Sequence, residues 1–163
     1  DLSALVTYLK SIAAVDNQTR GRSFTPLARI LYTAGAFGNQ IPAERIDHAA
    51  AGRQEAPQVG PTAEYGAYIV ALGGCRTCHG QDLAGGKDAE PQAPPGPNLT
   101  PGGELNGWSE ADFVRLMRQG ATPGGRQLSS YMPWKTLGRL HDEELRALWL
   151  YLQSLPALPT RAF

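Results

Sequence analysis

The stretch Cys75-Arg76-Thr77-Cys78-His79 decides how the rest of this chain is interpreted. Cys-x-x-Cys-His is the attachment signature of a c-type haem: the two thiols form thioethers with the vinyl groups, and the adjacent imidazole reaches one axial face of the iron. The 163 residues contain no other cysteine. We therefore predict one covalent haem c, attached through Cys75 and Cys78 with His79 as the proximal ligand.

Other uses of these cysteines fit the sequence less well. A zinc site needs four ligands, but the chain has no second cysteine pair, and its remaining histidines, His48 and His141, lie far from the motif. A thioredoxin-like redox pair needs a βαβ context, whereas the flanking segments have helix and loop patterns. A disulfide or a chance match are the alternatives that remain.

The second axial ligand is predicted to be Met132. This methionine lies in the segment 129–134, which Pro133 and small neighbours keep out of regular helix. A loop methionine can turn its thioether toward the iron. A Met/His pair raises the reduction potential relative to two histidines and leaves no vacant iron position for a substrate. Such a site carries electrons.

The other methionine, Met117, recurs with Phe113 and Leu116 at helical spacing, which indicates core packing. An open iron site is a further alternative. The remaining candidates for the sixth position are side chains able to ligate iron: Met117, His48 and His141.

Residues 62–156 resemble a class I cytochrome c domain. After the haem motif, the matching segments are Gly96-Pro97-Asn98-Leu99-Thr100, Tyr131-Met132-Pro133 and a final helix over 142–155. The resemblance implies an all-α class I cytochrome c fold, in which short helices and long loops wrap around the haem. It also implies that the Pro97 carbonyl accepts a hydrogen bond from His79. Such a bond fixes the imidazole tautomer and makes the ring a better donor to iron.

Helix signals agree with this domain. Thr62 is a suitable N-cap for a helix over 63–72, and the sequence from Ser109 to Asp112 resembles a capping box that opens a helix running to about Gln119. His141 stands where a capping serine or threonine is expected before the last helix, so Asp142 is predicted to cap it. The last helix presents an apolar face consisting of Leu145, Leu148, Trp149 and Leu152.

Residues 80–107 show no periodic pattern and many Gly and Pro residues. A structureless loop of this length counts against an ordinary compact domain. A buried porphyrin supplies the apolar surface that such a loop can wrap. We expect the apo form to fold poorly.

The first fifteen residues resemble the last helix. At a fixed offset of 143, seven positions are identical, which indicates an internal repeat. The alternative is that amphipathic helices rich in Leu and Ala resemble each other by composition. The identical pairs are Leu2/Leu145, Ala4/Ala147, Leu5/Leu148, Tyr8/Tyr151, Leu9/Leu152, Ser11/Ser154 and Ala14/Ala157.

These patterns predict three parts. Residues 1–15 form an N-terminal helical extension that resembles the last helix of an upstream cytochrome c domain. Residues 16–61 form a connector with a short helix over about 27–37, which we expect to pack on a protein surface, and a Pro/Gly/Ala-rich linker over 49–60. Residues 62–163 form the haem domain.

Charge and targeting signals narrow the function. Lys plus Arg equals Asp plus Glu, at 15 each, so nothing suggests nucleic acid. We find no transmembrane or signal segment, and covalent haem attachment implies a mature, periplasmic or otherwise extracytoplasmic protein. The expected function is electron transfer from a dehydrogenase to an oxidase or soluble acceptor, as part of a multihaem subunit. The alternatives are a haem enzyme, such as a peroxidase or thiosulfate-type dehydrogenase, and a haem-based sensor.

Overall fold

The chain forms two compact units in the computed structural model, residues Asp1–Ala56 and Pro57–Phe163. The boundary falls inside the predicted linker. The structure describes residues 2–17, 21, 23–36, 47, 49, 55–87 and 92–162.

The first unit contains helices α1 (Leu2–Ser11) and α2 (Pro26–Thr33). The Thr25 hydroxyl caps α2 by accepting from the Ala28 N–H at 3.2 Å, with proline at the first helical position. Neither helix contains a buried residue. Leu27, Ile30 and Leu31 of α2 are exposed, and the packing expected for the segment 27–37 stays a prediction.

The second unit is mostly helical, as predicted. Its elements in chain order are α3 (Ala63–Leu72), α4 (Cys75–His79), β1 (Ala84–Gly86), β2 (Gly96–Asn98), α5 (Glu110–Gln119), α6 (Trp134–Leu137) and α7 (Asp142–Ser154). The described parts of the long segment between α4 and α5 thus include two short strands that its composition did not predict. Its two short strands pair antiparallel, with Ala84 opposite Asn98 and Gly86 opposite Gly96.

The helix starts follow the capping signals, with one correction. The Thr62 hydroxyl accepts from the Tyr65 N–H at 3.2 Å, and Ser109 opens α5 through a capping box. At α7, however, His141 rather than Asp142 is the N-cap residue, and the Glu144 carboxylate accepts from the His141 N–H at 2.7 Å. Glu144 is the third residue of the helix, and its carboxylate accepts from a backbone N–H that the helix start would otherwise leave without a partner. A capping side chain from Asp142 is therefore not required.

The core of this unit lies where α3 crosses α7. At the crossing, a methyl group on Gly66 would overlap the Ala147 carbonyl, so the two backbones are in direct contact. Leu145 and Val70 are almost fully buried beside it, and the Phe113 ring on α5 packs against Trp149 with ring centroids 5.7 Å apart. This packing leaves one side of α3, α5 and α7 free to wall a cavity.

Candidate haem site

A cavity of about 590 Å³ opens between the helices and the loops of the second unit. Ligand pockets in proteins are typically about 300–1,000 Å³. The cavity is lined by segments that precede and follow the haem motif in sequence. Helix α3 contributes Ile69 and Val70, and helix α5 contributes Phe113 and Met117. The remaining apolar wall residues include Leu99, Leu105, Trp108, Leu116, Leu128, Leu137, Leu148 and Leu152.

Cys75 and Cys78 both line this cavity from α4. Residues three apart lie on the same face of a helix, so both thiols can point to one edge of a ligand. Gly74, in the left-handed conformation at φ 64°, turns the chain from α3 into this short helix. Neither cysteine forms a disulfide. Burial raises the pKa of the Cys75 thiol above its ordinary value.

His79 lies at the end of α4 and is almost fully buried. Its Nδ1 is 2.9 Å from the Pro97 carbonyl oxygen, which is the bond that the family resemblance implied. A carbonyl oxygen only accepts, so Nδ1 carries the proton and Nε2 keeps its lone pair. Burial lowers the pKa of His79, although the bond to Pro97 opposes this effect. A neutral imidazole with Nε2 free is the form that ligates a metal.

Glycines let β1 and β2 sit directly on the haem motif. A methyl group on Gly96 would overlap the Cys78 carbonyl, and one on Gly86 would meet the same oxygen. The buried Asn98 fixes β2, because its Nδ2 donates to the Leu158 carbonyl at 2.8 Å. This close approach is what places Pro97 against His79.

Met132 also lines the cavity, and it is partly buried. Its N–H donates to the Ser129 carbonyl at 3.1 Å, and its own carbonyl accepts from the Trp134 N–H at 2.8 Å, so a turn rather than a helix presents it. Met117 reaches the same cavity from α5 and is buried in the core.

Of the two histidine alternatives, only His141 is among the described residues. His141 is exposed and is not among the cavity-lining side chains. His48 lies outside the described residues.

An ion pair at the cavity was missed by sequence reasoning. Arg126 and Glu104 contact each other through Nη2 and Oε1, and both line the cavity. They are the only Lys, Arg, Asp or Glu residues among the described lining residues. Arg126 is held by a turn in which its N–H donates to the Thr122 hydroxyl at 3.0 Å. The two residues are 22 apart in sequence and lie on either side of α5, so no local pattern predicts the pair.

The donor set and the walls fit a haem c. Two thiols on one helix face, a neutral imidazole and a thioether line an apolar space, and its charged lining residues are the paired Arg126 and Glu104. Among the residues that the structure describes, no group of three or more His, Cys, Asp or Glu side chains could hold a metal ion. In the same described part of the chain, no helix is long and apolar enough to cross a membrane.

Comparisons with known proteins point the same way. Residues 63–156 match the family model described as cytochrome c. The chain is 35% identical over 101 residues to one of the subunits of nicotinate dehydrogenase from Pseudomonas putida, a match that covers 56% of this chain and 8% of that protein. It is 31% identical over 96 residues to the cytochrome c subunit of the quinone alcohol dehydrogenase of Gluconobacter oxydans, covering 53% and 20%.

A third relative aligns over more of the chain. The fructose dehydrogenase cytochrome subunit of Gluconobacter japonicus is 29% identical over 146 residues, covering 83% of this chain and 28% of that protein. The alignment therefore extends beyond the family-matched residues. The chain spans less than a third of the length of each of these three relatives.

Proposed function

Because the chain belongs to the cytochrome c family and so carries covalent haem c, we propose that Cys75 and Cys78 hold the haem and that His79 and Met132 ligate its iron. The chain is an electron-transfer cytochrome. The observation that carries the ligand proposal is the buried His79, whose Nδ1 is occupied by the Pro97 carbonyl and whose Nε2 is left as the donor.

The case for Met132 over Met117 rests on what each side chain already does. Met117 is 4% exposed and is part of the hydrophobic core cluster on α5. Turning it toward a metal would remove it from contacts that stabilise the fold. Met132 lies in a turn held by backbone bonds, so its side chain can reorient without disturbing a helix.

The protein's own residues supply a fixed, largely dry environment. Haem iron supplies the one-electron couple when bound. Two protein ligands leave no position for a substrate, and the apolar walls exclude water. The Arg126–Glu104 pair keeps the charges beside the cavity in place. A site that changes little between oxidation states transfers electrons without reorganising the chain.

The names of the relatives support a dehydrogenase as the redox partner. Two of the three are cytochrome subunits of dehydrogenases, for alcohol and for fructose. We propose that this chain accepts electrons from a dehydrogenase and passes them to an oxidase or a soluble acceptor, in the periplasm or another extracytoplasmic compartment. Redox encounters of this kind bury less than about 1,200 Å² in total. Tyr131, 49% exposed beside Met132 and lining the cavity, lies where such a contact would form.

Haem content and reactivity test this function. After denaturing electrophoresis, haem staining should remain on the polypeptide, and digestion should yield one haem-bearing peptide that contains residues 75–79. Chemical reduction and reoxidation should be reversible. Steady-state peroxide consumption should not exceed that of free haem peptide. Colour lost on denaturation would contradict covalent attachment, and rapid peroxide turnover would contradict a closed electron-transfer site.

A further inference from the structure

The segment that follows α7 turns back onto the segment between α4 and α5. Helix α7 ends at Ser154, and the match to the family model ends at residue 156. Pro156 and Pro159 lack a backbone donor and disfavour a further helix. Residues 157–161, which we call the strap, instead form hydrogen bonds with β1 and β2. The strap thus contacts the neighbourhood of the haem motif from outside the family-matched residues.

The first anchor of the strap is a buried polar group. Asn98 and Thr100 are 1% and 0% exposed. The Asn98 Nδ2 donates to the Leu158 carbonyl at 2.8 Å and to the Thr160 hydroxyl at 3.3 Å. The Leu158 N–H donates in turn to the Thr100 hydroxyl at 3.1 Å. A buried amide that loses its acceptors is strongly destabilising, so these bonds hold the strap and β2 together.

The second anchor is Arg161. Its N–H donates to the Ala84 carbonyl at 3.1 Å, and its guanidinium pairs with Asp82 at 2.5 Å. Between these two contacts lies Leu83, which is fully buried and has a left-handed backbone at φ 61°. A residue with a side chain keeps this strained conformation only where its surroundings enforce it. Ala84 is also the residue opposite Asn98 in the β1–β2 pair, so both anchors hold the same point of the sheet.

That point carries the hydrogen-bond acceptor of the proximal histidine. The Pro97 carbonyl and the Asn98 N–H belong to one planar peptide unit, which rotates as a whole. The same carbonyl oxygen is 2.9 Å from His79 Nδ1. On the other side of Pro97, the backbone of Gly96 lies against the Cys78 carbonyl. Fixing Asn98 therefore restricts the rotation that would turn the carbonyl away from the imidazole.

We propose that the strap positions the axial imidazole. By holding Asn98 and Ala84, it keeps the Pro97 carbonyl on His79 Nδ1. This inference rests on the proposed function, in which His79 ligates the iron, and adds residues that act on that ligand from a distance. A firm bond at Nδ1 makes the imidazole a better donor and favours the ferric iron, so a loosened strap raises the reduction potential. The positioning residues of the strap are Leu158, Thr160 and Arg161.

Reduction potentials test the positioning role with variants that keep the net charge. Asp82→Asn/Arg161→Gln removes the ion pair, and Asn98→Ala removes the buried anchor. At a fixed ambient potential, the ratio of reduced to oxidised holoprotein should rise about twofold in the first and about fivefold in the second, or roughly 20 and 40 mV. The matched control is Glu110→Gln/Arg146→Gln, which breaks a similarly exposed ion pair and should leave the ratio unchanged. No rise in either strap variant, or an equal rise in the control, would overturn the inference.

Nuclear magnetic resonance separates this inference from the proposed function. In the ferric wild type, the His79 ring protons should show the large paramagnetic shifts of an iron ligand. The Nδ1 proton should exchange with solvent about tenfold faster in Asn98→Ala, and at the wild-type rate in the control. Ring protons without such shifts in the wild type would contradict ligation by His79 and thus the proposed function. Shifted resonances with equal exchange rates in all variants would overturn the positioning role alone.

Discussion

At the scale of single residues, the site depends on a few polar groups placed around an apolar cavity. The His79–Pro97 bond selects the imidazole tautomer, and the Arg126–Glu104 pair sets the nearby charge. A positive charge near the iron favours the reduced form, because reduction lowers the charge of the iron.

Arg126→Gln should therefore lower the reduction potential, and Glu104→Gln should raise it. Both side chains are partly exposed, so each shift should correspond to about 0.2–1 kcal/mol, or roughly 10–40 mV. Potentiometric titration measures the shifts. Arg115→Gln, which breaks an exposed ion pair with Asp112 on α5, is the charge-matched control and should change the potential little. Shifts of the same sign in both cavity variants would contradict this electrostatic account.

At the scale of elements, stability depends on the helix caps and on the α3–α7 crossing. The capping box of α5 joins Ser109 and Asp112, and hydrogen bonds from the Ser109 hydroxyl and N–H hold the pKa of Asp112 below its ordinary value, with help from Arg115. A lowered native pKa means that this contribution is present above the unfolded pKa and is lost as pH falls through the native one.

Ser109→Ala should reduce the free energy of unfolding by about 0.5–2 kcal/mol at pH 7, because a terminal N–H of α5 loses its acceptor. The difference in the free energy of unfolding between variant and wild type should become smaller in acid, because Asp112 becomes protonated. Denaturant unfolding of the holoprotein at both pH values gives the comparison. Ser154→Ala removes an exposed hydroxyl from α7 and should have a smaller effect. A loss of unfolding free energy in Ser109→Ala that is larger in acid than at pH 7 would contradict this account of the capping box.

Gly66→Ala should destabilise the second unit by about 1–3 kcal/mol, since the added methyl has no space between α3 and Ala147. Gly124→Ala is a suitable control variant, because the added methyl group would meet only the Thr122 hydroxyl, at 4.0 Å. Thermal unfolding followed at the haem absorbance should show a lower midpoint for Gly66→Ala alone. Equal midpoints for the two variants would mean that the helices separate without cost.

The elements differ in how well the sequence predicts them. Helices with a capping residue and a periodic apolar face, such as α3 and α5, are predicted with their bounds because local signals specify them. The strands β1 and β2 are not predicted from the sequence. They consist of Gly, Ala, Pro and Asn residues, which lack β propensity, and they pair with each other across the segment that joins them. The Arg126–Glu104 pair is missed for the same reason, since tertiary folding alone brings it together.

At the scale of the whole molecule, the second unit combines a hydrophobic core at the α3–α7 crossing with an apolar cavity. Its long loop between α4 and α5 folds back on the haem motif, where β1 and β2 lie against the Cys78 carbonyl. Such an arrangement depends on the bound group for much of its apolar burial.

The double substitution Cys75→Ala, Cys78→Ala should therefore leave the second unit largely unfolded, because the haem is no longer retained. Far-ultraviolet circular dichroism should show most helix lost, and no cooperative thermal transition should remain. The conservative comparison is Thr77→Ser, which keeps both thiols in the same motif and should remain native. Native-like helix content and cooperative unfolding in the double variant would show that the chain folds without haem.

Axial ligation is the central claim, and one spectrum tests it most directly: the visible absorption of the ferric protein in the region of the sulfur-to-iron band. The account predicts that the wild type shows the band, that Met132→Ala loses it and binds cyanide or carbon monoxide readily, and that Met117→Leu retains it with some loss of stability. The same band in Met132→Ala, or its loss in Met117→Leu alone, would contradict the assignment of Met132 as the sixth ligand.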